Sequence, residues 1–393
     1  MLSFIRRPAR PSAWASLVMA LGLPGLSPVG HAAPETPEGG YPPLGTDVMV
    51  PDLGSETAPA VIEDPLTAFQ DRPSGPSVDT PTRPTAPAVA VGPAEPIAPP
   101  PVTHLSLMLD WYPSPRHAAL FAARELDLFK ERGLEVEIQT PADPDVPTKL
   151  LATSRIDLAL TRQPLLHLMV DQDQPLVRVA TLVGLPLASL VLDDAIGLEA
   201  LEGTRIGHVD LDAENVLLAS LLTHQELTRE ALDSPDLHFR LEQAMREGRV
   251  DGVIGAVRYL LPRALADDGL STHTYTTESM GVPRYDGLIL VANRDHLAQQ
   301  REAIVALVEA LEEATAWIVE HPDAGWALLA RAEPAMDTPT NRAAWPEAMR
   351  RLSLTPAALH EKRYADFEHF LNQQHLVSET TPVERLAIDP NRQ

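Results

Sequence analysis

The chain contains no cysteine. That absence excludes disulfides, thiolate metal sites, a cysteine nucleophile and the lipid-modified cysteine of a lipoprotein. Positive charge is scarce as well, with 31 Lys and Arg against 55 Asp and Glu and a formal charge of −24. A surface this acidic, with no basic stripe, repels phosphates, so nucleic acid is not an expected partner. The acidic residues are spread along the chain, and solubility with self-repulsion accounts for them. No apolar run reaches the roughly 18 residues that span a bilayer. The 13 histidines show no ligand-type spacing with carboxylates, so neither a metal nor a cofactor is expected.

What is present begins with Arg6, Arg7 and Arg10, an apolar run from Ala13 to Leu26, and the small-residue stretch Gly30-His31-Ala32-Ala33. That order of basic, apolar and small predicts a secretory signal over residues 1–32 and a periplasmic location. The alternative is an uncleaved signal anchor. Between Pro34 and Pro101 there are 17 prolines in 68 residues and few large apolar groups. Such a segment cannot bury enough to offset its ordering entropy, so residues 33–102 are read as a disordered spacer.

From His104 the texture changes. With 44 % apolar residues in the chain, a substantial core is available. Strands are predicted at Leu105 to Leu109, Leu134 to Ile138, Ile156 to Leu160, Val177 to Val183, Leu187 to Leu192, Arg205 to Val209, Val250 to Ile254 and Leu288 to Ala292. Helical stretches lie between them, the first from Ala118 to Lys130, and the chain after Asn293 reads almost wholly helical. This alternation predicts βαβ units, mainly parallel sheets and an α/β fold. In such folds ligands sit beyond the carboxyl ends of the strands. The residues there are Asp110-Trp111, Thr161 to Pro164, Asp210 and Gly255 to Tyr259.

The stretch DWYPSPRHAALFAARELDLFKERGLEVEI, Asp110 to Ile138, resembles the opening of the substrate-binding proteins of thiamine-pyrimidine-precursor ABC importers. Further matches follow in order: PADP from Pro141, RIDLALTRQP from Arg155, GLPLASLVL from Gly184, LEGTRIGHV from Leu201, GRVDGVIGA from Gly248 and GVPRYDGLILVAN from Gly281. The resemblance implies a type II periplasmic binding fold, in which two lobes joined by two crossing segments close on a ligand in the cleft between them. On this chain the solute-binding domain would be 103–393, with lobe 1 at about 104–186 and 291–393 and lobe 2 at about 187–288. Hinges are expected near Pro186 and Val291. The same family includes enzymes that make the pyrimidine; they carry a cysteine-rich iron motif, which this chain lacks.

Trp111 could stack on a flat heteroaromatic ring or fill the lobe surface. Asp110 could accept from an exocyclic amino group or tie down the following turn. His117, at the start of the first helix, could reach a ligand docked there or act as a cap. Gln163 offers a donor and an acceptor toward the crevice. Ser189 and Gly255, in matched stretches, join the candidate ligand set, and Tyr259 and Tyr285 are the aromatic candidates from the opposing lobe. Trp317, Trp326 and Trp345 sit at amphipathic spacing and read as core. Relatives usually have asparagine and threonine where this chain has Ser114 and Pro115, a tyrosine in place of Arg162, and a Tyr-Trp pair near Val257 and Arg258. Arg162, Arg258 and Arg284 would either ring the cleft and receive an anionic ligand or lie on outer loops paired with carboxylates.

The resulting expectation is a monomeric, non-enzymatic binding protein that carries a small heterocycle to an inner-membrane permease. Two alternatives stand beside it: a membrane-tethered sensory or presenting protein for an anionic ligand, and a scaffold that has lost the family ligand.

Overall fold

A computed structural model describes residues 102–392; the signal and nearly all of the spacer read from the sequence lie outside the described residues. Nine strands occur among the described residues: β1 Thr103–Met108, β2 Leu134–Gln139, β3 Leu158–Thr161, β4 Leu176–Val183, β5 Ala188–Asp193, β6 Ile206–His208, β7 Gly252–Val257, β8 Thr272–Thr276 and β9 Leu288–Asn293. They form two sheets, β2-β1-β3-β9-β4 and β6-β7-β5-β8.

The sheets are mixed, which corrects the expectation of mainly parallel ones. Parallel pairs are β1 with β2, β1 with β3 and β6 with β7. β9 runs antiparallel to β3 and β4, and β5 runs antiparallel to β7 and β8. The reason is connectivity. β4 leads directly into the second sheet as β5, and the chain returns to the first only as β9, entering it between β3 and β4. Fully buried strands such as β4 and β9 carry no polar alternation from which direction could be read.

Each sheet has its own apolar core. Leu107, Leu158, Leu290 and Leu311 belong to the first; Leu190, Leu217, Val253 and Leu265 belong to the second. Each fully buried Leu or Val contributes about 1.5–3 kcal/mol. Trp326 and Trp345 are buried in the first core, with Trp317 packed against it, and Trp345 Nε1 donates to Pro322 O at 2.9 Å.

Two segments cross between the sheets, and both lie before the strands they enter. The first runs over 184–187. The second ends at Tyr285-Asp286-Gly287, not at Val291, which sits inside β9 paired with Ala159 and Arg178. The crossings touch: Gly287 N donates to Val183 O at 2.9 Å, and a Cβ at Gly287 would come within 2.0 Å of Leu185 O. Only glycine allows that approach.

The helix Glu361–Gln373 binds this crossing from outside. Tyr364 O–H and Thr181 Oγ1 donate to Asp286 Oδ2, and Arg363 pairs with Asp286 Oδ1. Tyr364 packs with the first sheet's satellite core, whereas Phe367 and Leu371 pack with the second core. The segment 361–377 therefore packs against both cores. Arg178, fully buried and without a carboxylate partner among the described residues, donates to Thr181 Oγ1 and to the carbonyls of Pro356, Ala357, Ala358 and Ile388, tying the C-terminal tail to β4.

Candidate functional site

A cavity of about 440 Å³ opens between the lobes. Asp110 and Trp111 enter it from the loop after β1, Arg162 from the end of β3, Val209 and Asp210 from the end of β6, and Gly255 to Val257 from β7. This is where an α/β fold gathers functional side chains, because successive strands deliver their following loops to one edge. Gly255 has φ +92°, and a Cβ there would meet Val209 Cγ2 at 2.5 Å and Ala213 Cβ at 2.6 Å. Its glycine lets β7 lie close against the β6 loop.

Asp110 is buried and held from behind. Arg116 Nη2 donates to its Oδ2 at 3.0 Å, and His117 Nε2 lies 2.8 Å from its Oδ1. The Ser114 backbone N–H donates to His117 Nδ1 at 3.2 Å, which leaves the ring proton on Nε2, facing Asp110. Burial pushes the pKa of His117 down, so the ring is neutral. Burial alone would raise the pKa of Asp110, but Arg116, the His117 hydrogen bond and the charge of Arg162 hold it well below the usual carboxylate range. An ionised carboxylate offers about four lone-pair sites, so Asp110 keeps acceptor capacity on its cavity side.

Arg162 does not point free into the cleft. Its Nη2 donates to Asp210 Oδ2 and Asp212 Oδ1, each at 2.5 Å, and its Nε donates to Asp212 Oδ2 at 3.0 Å. Asp110 Oδ2 lies 3.9 Å from Nη1. The pair joins the first lobe to the second. Burial pushes Asp210 well above the usual carboxylate range, Arg162 opposes the shift, and the adjacent Asp212 adds to it.

The other sequence candidates go elsewhere. His117 is fully buried behind Asp110 and does not line the cavity. Gln163 turns away from the crevice: its Oε1 accepts from Asp286 N at 2.8 Å, and its Nε2 lies 3.2 Å from His167 Nε2. Ser189 Oγ donates to Ala256 O at 3.0 Å, inside the second sheet. Tyr259 lies in the first core with Arg351 over its ring, and burial pushes its pKa up to about 12. Tyr285 packs on Phe367 in the second core. Neither tyrosine lines the cavity. Arg258 lies outside the lining and Arg284 is exposed, so the ring of three arginines does not form.

Sequence reasoning missed Arg116, Asp212 and Phe239. Asp212 follows Asp210 at a spacing of two, which would have flagged a second carboxylate after β6. Phe239 stands in an irregular segment with no periodicity to mark it. Its ring meets Trp111 edge to face, with centroids 4.5 Å apart and planes at 81°.

Two sheets, two touching crossings and a cavity between the lobes define the periplasmic binding protein fold. The solved alkanesulfonate-binding protein of Xanthomonas axonopodis pv. citri shares it at a TM-score of 0.58 and 16 % identity, covering 73 % of this chain and 98 % of that one. A Candida albicans protein described as having the generic periplasmic binding protein fold gives 0.59 at 14 % identity, covering 75 % and 98 %.

Residues 114–325 match the family described as NMT1/THI5 like, and the chain belongs to that family. A Haemophilus influenzae protein named for thiamine biosynthesis is 34 % identical over 289 residues, 72 % of this chain and 91 % of that protein. The formylaminopyrimidine-binding protein of Halalkalibacterium halodurans is 31 % identical over 223 residues, 56 % of this chain and 67 % of that one. The family also contains enzymes. The 4-amino-5-hydroxymethyl-2-methylpyrimidine phosphate synthase of Candida albicans is 21 % identical over 252 residues, 60 % of this chain and 74 % of the enzyme.

Proposed function

We propose that this chain is a non-enzymatic periplasmic binding protein that holds a neutral or cationic aminopyrimidine between its lobes and delivers it, as a monomer, to an ABC permease in the inner membrane. The observation that carries this reading is the division of labour in the cavity. Trp111 and the ionised Asp110 face the space, while Arg116 and Arg162 are already paired with carboxylates. A flat ring gains about 0.5–1.5 kcal/mol by packing on an aromatic side chain beyond the area it buries. An amino group donating to Asp110 adds about 1.5–3 kcal/mol, the range for charged hydrogen bonds.

An anionic ligand fits this arrangement poorly. Arg162 already gives Nε and Nη2 to Asp210 and Asp212, and the ionised Asp110, 3.9 Å from the remaining Nη1, repels a second negative charge there. The names of the two bacterial relatives support the pyrimidine class. The binding reading is supported by the state of the groups beside Trp111: His117 is enclosed, and Asp110 and Asp210 are each held by an arginine.

The test is titration calorimetry with 4-amino-5-hydroxymethyl-2-methylpyrimidine, its formylamino analogue, and aromatic carboxylates and phosphates of similar size. Binding of the pyrimidines, with a loss of about 30-fold or more in Trp111→Ala, is expected of an aromatic anchor. Binding of the anions alone would overturn the reading.

A further inference from the structure

Phe239 reaches the cavity from the second lobe by an unusual route. Residues 233–237 run beside β6 through bridges from Arg205 to Asp233 and from His208 to Asp236, and Leu237 N donates to His208 O at 2.9 Å. Leu237 is buried in the second core. The chain then turns at His238, whose φ of +45° is left-handed, a conformation that side chains other than glycine seldom adopt. The His238 ring lies 2.9 Å from Asp236 Oδ2 and 3.1 Å from Asp143 Oδ2 of the first lobe. That turn carries Phe239 away from its own core and against the loop after β1. There it meets Trp111 as described and also Tyr112, with centroids 4.5 Å apart and planes at 42°.

We infer that Phe239 is a specificity-determining residue that sets the width of the cavity at the Trp111 end and restricts it to a single aromatic ring. This rests on the reading that the ligand ring packs on Trp111. With the two rings in edge contact, nothing fits between them, so the ligand takes the part of the Trp111 surface that Phe239 leaves open. A ring widened toward Phe239 meets its wall. The wall is held by the local backbone of residues 233–240 and the second core rather than by the ligand, so it resists displacement.

Two probe pairs test this, with dissociation constants measured on the full chain, on Phe239→Ala and on Phe239→Leu. The first pair is 4-amino-2-methylpyrimidine and its fused analogue 4-amino-2-methylquinazoline. The second is benzamidine and 2-naphthamidine, which share the donors and widths but are not pyrimidines. Wild type should prefer the single ring, Phe239→Ala should shift the preference toward the fused ring by about tenfold or more, and Phe239→Leu should keep most of the wild-type preference. An unchanged ratio in Phe239→Ala, with its circular dichroism intact, overturns the inference. If wild type binds the amidines and ignores the pyrimidines, the pyrimidine reading falls and the amidine pair decides the width. Binding of none of the four overturns both.

Discussion

Replacing Arg162 by methionine keeps most of the side chain's volume and removes the charge that joins the lobes. Asp210 and Asp212, with side chains 1 % exposed, would then face each other without a cation. Breaking a buried pair in this way costs about 3–5 kcal/mol. At about 2.1 cal/mol/K of unfolding entropy per residue, roughly 290 ordered residues give about 0.6 kcal/mol per kelvin, so Tm should fall by about 5–8 °C at pH 7.5. The pH dependence carries the diagnosis. Burial already holds the folded-state pKa of Asp210 above its unfolded value near 3.9, and removing the Arg162 charge that opposes this raises it further in the variant. A group raised in this way lends its stability below the unfolded pKa and loses it as pH rises through the folded one.

The deficit of Arg162→Met relative to wild type should therefore shrink as pH falls from 7.5 toward 5, as Asp210 takes up a proton. Asp210→Asn in the same background should restore part of the loss at pH 7.5 by removing one of the opposed charges. Thermal melts followed by circular dichroism across that range measure both effects. A deficit under about 1 kcal/mol at pH 7.5, or one that does not change with pH, would show that Arg162 lies in solvent and would refute the latch.

Asp110 behaves in the opposite sense. Its folded-state pKa is depressed, so its stabilisation is present above about pH 4 and lost as pH falls below that; Asp110→Asn should flatten the acid limb of the melting curve and weaken aminopyrimidine binding by about 10- to 100-fold. Arg258→Ala and Arg284→Ala, at positions outside the cavity lining, should change ligand affinity by less than about twofold in calorimetry. Gly287→Ala pushes a methyl group into Leu185 O, and denaturant unfolding should show a loss of about 1–3 kcal/mol or more.

The elements that were legible in the sequence are those whose burial is complete. β3, β4 and β9 are buried at every position, and their Leu, Val and Ala runs stand out from the flanking polar residues. β8, THTYT, was missed because it is an edge strand with no fully buried position, so no apolar run marks it. Ala118 to Lys130 reads as one helix by its spacing, yet it breaks into Ala118–Glu125 and Leu128–Glu131 at Asp127, whose φ is +58°. An aspartate tolerates that conformation through local hydrogen bonding of its own side chain, and nothing in the apolar periodicity records it.

The candidate site divides along the same line. The positions of Asp110, Trp111, Arg162 and Asp210 follow from their place after strands, and all four line the cavity. What Arg162 does there depends on carboxylates 48 and 50 residues further along the chain. A strand-end arginine facing a ligand and one facing an aspartate have the same local sequence. Phe239 is the harder case, because its placement follows from a left-handed His238 and from β6 pairing beside it, neither of which leaves a periodic trace. Position along a strand thus locates a cleft residue, and pairing across the cleft decides whether it receives the ligand or locks the lobes. For Arg162 the pairing weighs against an anion: Asp212 engages Nε, both aspartates engage Nη2, and an anion approaching the remaining Nη1 meets the ionised Asp110 3.9 Å away.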